Sequence, residues 1–172
     1  MLHLLRIENL ALMDAVSLEF EEGYTVVTGE TGAGKSIMID ALGLALGDRT
    51  DNGMIRAGCD KAEVSAEFDL ANCPAALQWL QERDLADATS CLLRRVLVRE
   101  GRSRAYVNGS PAPQGTLREL GELLLNIHGQ HAHQSLLRNT AQRALLDAYG
   151  ALQPLVAELG TRYQALSAAI RQ

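Results

Sequence analysis

Between Ala62 and Leu70 the chain alternates. Ala62, Val64, Ala66, Phe68 and Leu70 fall on one side, and Glu63, Ser65, Glu67 and Asp69 on the other. Successive side chains of a strand point to opposite faces, so this pattern predicts a strand buried on one side. Val16-Ser17-Leu18-Glu19-Phe20 predicts a second half-buried strand. Leu2 to Asn9 reads as another, joined to it through an apolar turn at Leu10 to Met13. Cys91 to Val98 is a strongly apolar run; the chain turns at residues 99–102, and Ser103 to Val107 returns as a hairpin. Asn108-Gly109 is the strongest short turn signal. Helical spacing appears at Pro74 to Arg83, with Leu77 and Leu80 facing in and Pro74 in the first turn. It appears again at Thr116 to Leu124, and at Thr140 to Tyr149, capped by Thr140 and stopped by Gly150. Leu152, Leu155, Leu159, Tyr163, Leu166 and Ile170 step by 3, 4, 4, 3 and 4, a narrow coiled-coil seam rather than a globular helix face.

Two more apolar runs read as buried strands. Tyr24-Thr25-Val26-Val27-Thr28 ends at Gly29, and Leu124-Leu125-Asn126-Ile127-His128 ends at Gly129-Gln130. The residues after the first run carry chemistry. Gly29-Glu30-Thr31-Gly32-Ala33-Gly34-Lys35-Ser36 matches the phosphate-binding loop G-x-x-x-x-G-K-[ST]. Its glycines allow turns that a Cβ would forbid, so that backbone N–H groups can cradle β- and γ-phosphates. Lys35 adds a positive charge, and Ser36 a hydroxyl ligand for Mg²⁺. Ile37, Ile39, Ala41, Leu42, Leu44, Ala45 and Leu46 then predict an apolar helix closing near Gly47, with its positive end at the loop. The expected ligands are ATP and Mg²⁺.

Composition narrows the picture. An apolar fraction of 47% is enough for a core, but with 4% aromatics it must be built from Leu, Val, Ile and Ala. A net charge of −5 argues against a chain-wide nucleic-acid footprint and leaves room only for a local patch. The candidate patch is the hairpin bearing Arg94, Arg95, Arg99, Arg102 and Arg104, read either as a solvated edge or as a DNA-backbone contact. Cys59, Cys73 and Cys91 form no C-x-x-C pair and read as reduced thiols of a cytoplasmic protein. No leader and no membrane-spanning run is expected. His128, His131 and His133 read as loop histidines in preference to a metal site.

A complete ATPase of this type needs a buried strand ending in an acid to help hold Mg²⁺. Ile37-Met38-Ile39-Asp40 and Leu145-Leu146-Asp147 have the letters but lie in helical patterns. No Ser-Gly-Gly signature is present either. The chain reads as the ATP-gripping half of a machine.

The opening Leu4-Leu5-Arg6-Ile7-Glu8-Asn9-Leu10, the loop with its flanks from Val27 to Ile37, Asp40-Ala41-Leu42, and Asn126-Ile127-His128-Gly129-Gln130-His131 together resemble the structural-maintenance-of-chromosomes-like ABC ATPases. The resemblance is to the N-terminal head segment of their bacterial DNA-repair branch, and it covers the whole chain. It implies an α/β P-loop NTPase fold: an ABC-type head lobe with an antiparallel β layer over residues 1–150, and the root of a coiled-coil arm over residues 151–172. It implies a function in DNA double-strand-break repair and recombination, in the cytoplasm at the nucleoid. Partners would be the C-terminal half of the same head, a second head in an ATP-dependent dimer, and DNA, with no membrane. Hydrolysis would then need the absent half. By the same resemblance Gln130 is the glutamine that completes Mg²⁺ coordination or positions the attacking water, with a plain loop amide as the alternative. Arg56 stands where relatives reach towards phosphate or DNA, with a surface salt bridge as the alternative. Two other readings compete: a self-contained small P-loop kinase or nucleotidase, and a nucleotide-binding coiled-coil scaffold.

Overall fold

The computed structural model describes residues 1–29, 34–49, 51–125, 127 and 139–170. The chain divides into two compact units, Met1–Asn126 and Ile127–Gln172.

The first unit is built on one six-stranded sheet of order β2-β1-β3-β4-β5-β6. Its strands are β1 (Leu2–Leu10), β2 (Met13–Glu19), β3 (Lys61–Asp69), β4 (Ser90–Val98), β5 (Arg104–Val107) and β6 (Ser110–Pro111). Every pairing is antiparallel. The alternation seen in the sequence sets the register. Ala62, Val64, Ala66 and Phe68 of β3 are fully buried, while Lys61 and Asp69 face solvent. A slip of one residue would turn that whole row outwards, so the burial pattern pins the pairing. Leu5 and Ile7 of β1 and Cys91, Leu93 and Leu97 of β4 continue the same row.

Three helices cover this face: α1 (Lys35–Ala45), α2 (Pro74–Gln81) and α3 (Gln114–Leu124). Ala41, Leu44 and Ala45 of α1, Ala76 and Leu80 of α2, and Leu117 and Leu120 of α3 join the sheet residues in one apolar core. Leu77 packs against that core from its edge. Burying a large aliphatic or aromatic side chain contributes roughly 1.5–3 kcal/mol, so this single face holds the unit together.

The sheet's other face is mixed, with Leu92, Val96 and Val98 of β4 among its charged side chains. There Arg94 reaches diagonally across to Glu63, 3.3 Å away, and lies over the ring of Tyr106 on the neighbouring strand. Asn108 and Gly109, both at positive φ, form the tight turn between β5 and β6 that their identities predict. Asn108 also ties the turn down: its side chain accepts from the Leu92 N–H at 2.7 Å and donates to the Leu85 carbonyl at 2.7 Å.

Two expected strands are not strands here. Residues 24–28 carry no ladder, and Tyr24, Val26 and Val27 are exposed, Val26 at 80%. Their β-branched composition suits a sheet, but no strand among the described residues lies beside them. Leu124 ends α3 instead of opening a strand, and Leu125 turns extended without a ladder partner. Asn126, His128, Gly129 and Gln130 lie outside the described residues.

The second unit contains α4 (Asn139–Tyr149) and α5 (Gln153–Ile170). α4 starts one residue before Thr140, which therefore sits inside the first turn and does not precede it. Leu145, Leu146 and Tyr149 of α4 are exposed, and so is every seam residue from Leu152 to Ile170.

Candidate functional site

The phosphate-loop sequence delivers its last residues to the start of α1. Gly34 is the residue before the helix, buried and in the left-handed region at φ 94°. A Cβ there would come 2.8 Å from Cε of Met13 at the head of β2, a flexible side-chain end that can move aside, so it is the backbone turn that asks for glycine. Its carbonyl accepts the first helical bond, from the Met38 N–H at 3.1 Å. Among the described residues no side chain caps this N-terminus, and no acid stands in its first turn. The positive end of the helix is thus left for an outside anion.

Lys35 opens the helix, and its ammonium bends back to donate to the Gly29 carbonyl. The two ends of the loop are therefore bridged by the one long cation within it. A Cβ on Gly29 would stand 3.9 Å from that nitrogen. Ser36 lies beside it in the first turn, its hydroxyl available to a ligand. Glu30, Thr31, Gly32 and Ala33 lie outside the described residues. The described part suits a nucleotide phosphate chain: two glycine positions, one ammonium, an uncapped helix start and a hydroxyl. No cluster of metal-ligating side chains occurs among the described residues.

The far end of α1 is held firmly. Gly47, at φ 95°, closes the helix with a pair of backbone bonds: its N–H to the Leu44 carbonyl and the Asp48 N–H to the Gly43 carbonyl. Gln114 of α3 donates to the carbonyls of Gly47 at 3.0 Å and Asp48 at 2.9 Å. Gly121 lets the Leu46 carbonyl approach α3, since a Cβ there would meet that oxygen at 3.0 Å. Sequence patterns held no sign of this brace, because neither glutamine nor glycine stands out in a helix.

Arg56 comes after a short 3₁₀ turn, Asn52–Met54, and its N–H donates to the Asn9 carbonyl at 2.9 Å. Its guanidinium lies 2.9 Å from Oδ1 of Asp14, one residue past Met13. The pairing is one of charge and not an aligned hydrogen bond, and Nη1 remains buried with no hydrogen-bond partner among the described residues. Gln130, His128, His131 and His133 lie outside the described residues.

The basic hairpin is less uniform than its sequence. Arg94 is engaged with Glu63 and Tyr106. Arg99 donates to the carbonyls of Cys59 at 2.9 Å and Arg56 at 3.0 Å, so it ties loops together. Arg95 points into the buried face and is only 2% exposed. Burial lowers its pKa from the ordinary arginine value, since desolvation disfavours the charged form. Arg102 and Arg104 are exposed. Burial also pushes the Cys91 thiol up to about 12, which leaves it an inert core side chain.

A family model described as an AAA domain matches residues 4–149. The chain is 48% identical over 164 residues to the DNA repair protein RecN of Vibrio cholerae, covering 95% of this chain and 30% of that protein. The chain thus spans under a third of the length of that curated relative. Among solved structures, the Smc head domain with a coiled coil and joint from Pyrococcus yayanosii superposes at TM-score 0.68, with 20% identity over 91% of this chain and 33% of that one. A structure concerned with ATP-driven dimerization and DNA-stimulated activation of SMC ATPases superposes at TM-score 0.63, with 21% identity over 85% of this chain and 97% of that one. At such identities these two likenesses are of fold.

Proposed function

Because the chain belongs to the AAA-domain family, we propose that it is the ATP-gripping lobe of a RecN-like ATPase head that acts in DNA double-strand-break repair and recombination. The observation that carries this reading is the bridged loop at the head of α1, where Lys35 meets Gly29 and the helix start bears no cap and no acid among the described residues. ATP with Mg²⁺ supplies a phosphoanhydride bond whose cleavage can be coupled to head opening. Gly29, Glu30, Thr31, Gly32, Ala33 and Gly34 provide the cradle, Lys35 the charge, and Ser36 and Gln130 the metal contacts. Arg56 is held in reserve by Asp14 for a phosphate of nucleotide or DNA.

The rest of the head comes from the longer protein. Exposed Tyr24, Val26 and Val27 support a missing strand neighbour, and the exposed seam of α5 supports a coiled-coil arm rooted at residues 151–172. ATP would be sandwiched between two heads, in a cytoplasmic protein working at the nucleoid, with DNA as its substrate.

Calorimetry with Mg²⁺ and a non-hydrolysable ATP analogue tests the first part. Binding by this chain, lost in Lys35→Ala, is expected. ATP turnover is expected only after the C-terminal portion is added. Steady turnover by these 172 residues alone would favour a small kinase or nucleotidase instead. Dimers that form regardless of ATP would favour a scaffold.

A further inference from the structure

Arg99, just past the end of β4, is bonded to one short segment through both its backbone and its side chain. The last pair of the β3–β4 ladder is Lys61 with Val98, and the Arg99 N–H carries it one step further, to the Asp60 carbonyl at 2.8 Å. The side chain then folds over the residues that precede Asp60. Nε donates to the Cys59 carbonyl at 2.9 Å, and Nη2 to the carbonyls of Arg56 at 3.0 Å and Ile55 at 3.5 Å. The Arg99 carbonyl accepts from Nδ2 of Asn52 at 3.4 Å. The same segment is closed by a turn of its own. The Cys59 N–H donates to the Arg56 carbonyl at 3.1 Å, with Gly58 at φ 85° in the turn's third position, where a positive φ is needed. On its β1 side, Asn9 accepts from the Arg56 N–H at 2.9 Å through its carbonyl, and from Sγ of Cys59 at 3.4 Å through Oδ1.

The result is an arm with a fixed root and an exchangeable tip. Arg56 has its N–H bound to β1 and its carbonyl bound twice, by Arg99 and by Cys59. Its guanidinium is paired with Asp14, whose side chain is 82% exposed. Exposed ion pairs are weak, so an incoming phosphate can take the carboxylate's place. Resting on the reading of Arg56 as a group that reaches a phosphate, we propose that Arg99 is its positioning residue. The fork of Arg99 fixes the loop from which Arg56 reaches out, and Arg99 does not touch the phosphate itself. A guanidinium presents several donors in one rigid plane and so spans the Arg56 and Cys59 carbonyls; a lysine ammonium would keep the charge and lose the span.

The test uses the full-length protein and its variants Arg56→Ala, Arg99→Lys and the two combined. Two probes are titrated: Mg²⁺ with a non-hydrolysable ATP analogue, and a DNA duplex. Arg56→Ala should weaken at least one of them about tenfold, and the probe that loses affinity names the source of the phosphate. Arg99→Lys should weaken the same probe several-fold although the charge is kept, and should add nothing when Arg56→Ala is already present. Hydrogen exchange at the Cys59 amide should speed up in Arg99→Lys and stay unchanged in Arg56→Ala, the mark of a loosened loop in a folded protein. Full affinity in Arg99→Lys where Arg56→Ala loses it would overturn the proposal. Additive losses would overturn it too, because Arg99 would then act without Arg56. Arg56→Ala without effect on either probe would instead remove the reading of Arg56 itself, and this proposal with it.

Discussion

The antiparallel lobe and the exposed apolar segments are made of similar residues and end up in opposite states. Val64 on β3 is fully buried, whereas Val26 ahead of the phosphate loop is 80% exposed. Leu117 and Leu120 on α3 are buried, whereas Leu155 and Leu159 on α5 stand in solvent. The difference lies in supply, not in propensity. β3 finds β1 and β4 within the chain, and α3 finds the sheet and α2. Residues 24–28 and the α5 seam find nothing comparable among the described residues. Exposed apolar side chains in a row mark where another surface belongs.

Substitutions can break that contrast. Phe68→Ala should have the largest effect, about 3–5 kcal/mol in chemical denaturation, because it empties the centre of the core. A loss below about 1 kcal/mol would mean that the lobe is not the stabilising unit. Gly47→Ala should come next at roughly 1–3 kcal/mol from the left-handed backbone alone. It should cost more if α3 cannot retreat, because the new Cβ would meet the Arg118 nitrogen at 2.7 Å. Leu159→Ala should shift the stability of this chain by less than about 0.5 kcal/mol, since it removes no contact of the lobe. The same change in the full-length protein should cost several-fold more if the seam is paired there. Comparing the two lengths sharpens the contrast directly. Arg56→Ala should also be small, well under about 1 kcal/mol, because the pair is screened, with side-chain exposures of 37% and 82%.

The lobe was legible because each of its long strands buries only one face, and period two betrays such strands. Arg95 was legible in the same way: it falls in step with Cys91, Leu93 and Leu97, so alternation alone places it inside. Reading the hairpin as one basic patch ignored that phase. Residues 24–28 and 124–125 differ from expectation for another reason. Composition reports that a segment suits a sheet, and cannot report whether the neighbouring strand belongs to the same stretch of chain. At the candidate site the loop motif named Lys35, Ser36 and the glycines by identity, while the contact of Gln114 with Gly47 depends on a pairing remote in sequence.

The brace at Gly47 has a mechanical consequence. An 11-residue helix is a rod roughly 16 Å long. With its rear fastened to α3 by Gln114 and by the close approach at Gly121, α1 cannot slide along its axis without dragging α3 along. Any displacement of α1 along its axis is therefore handed to α3.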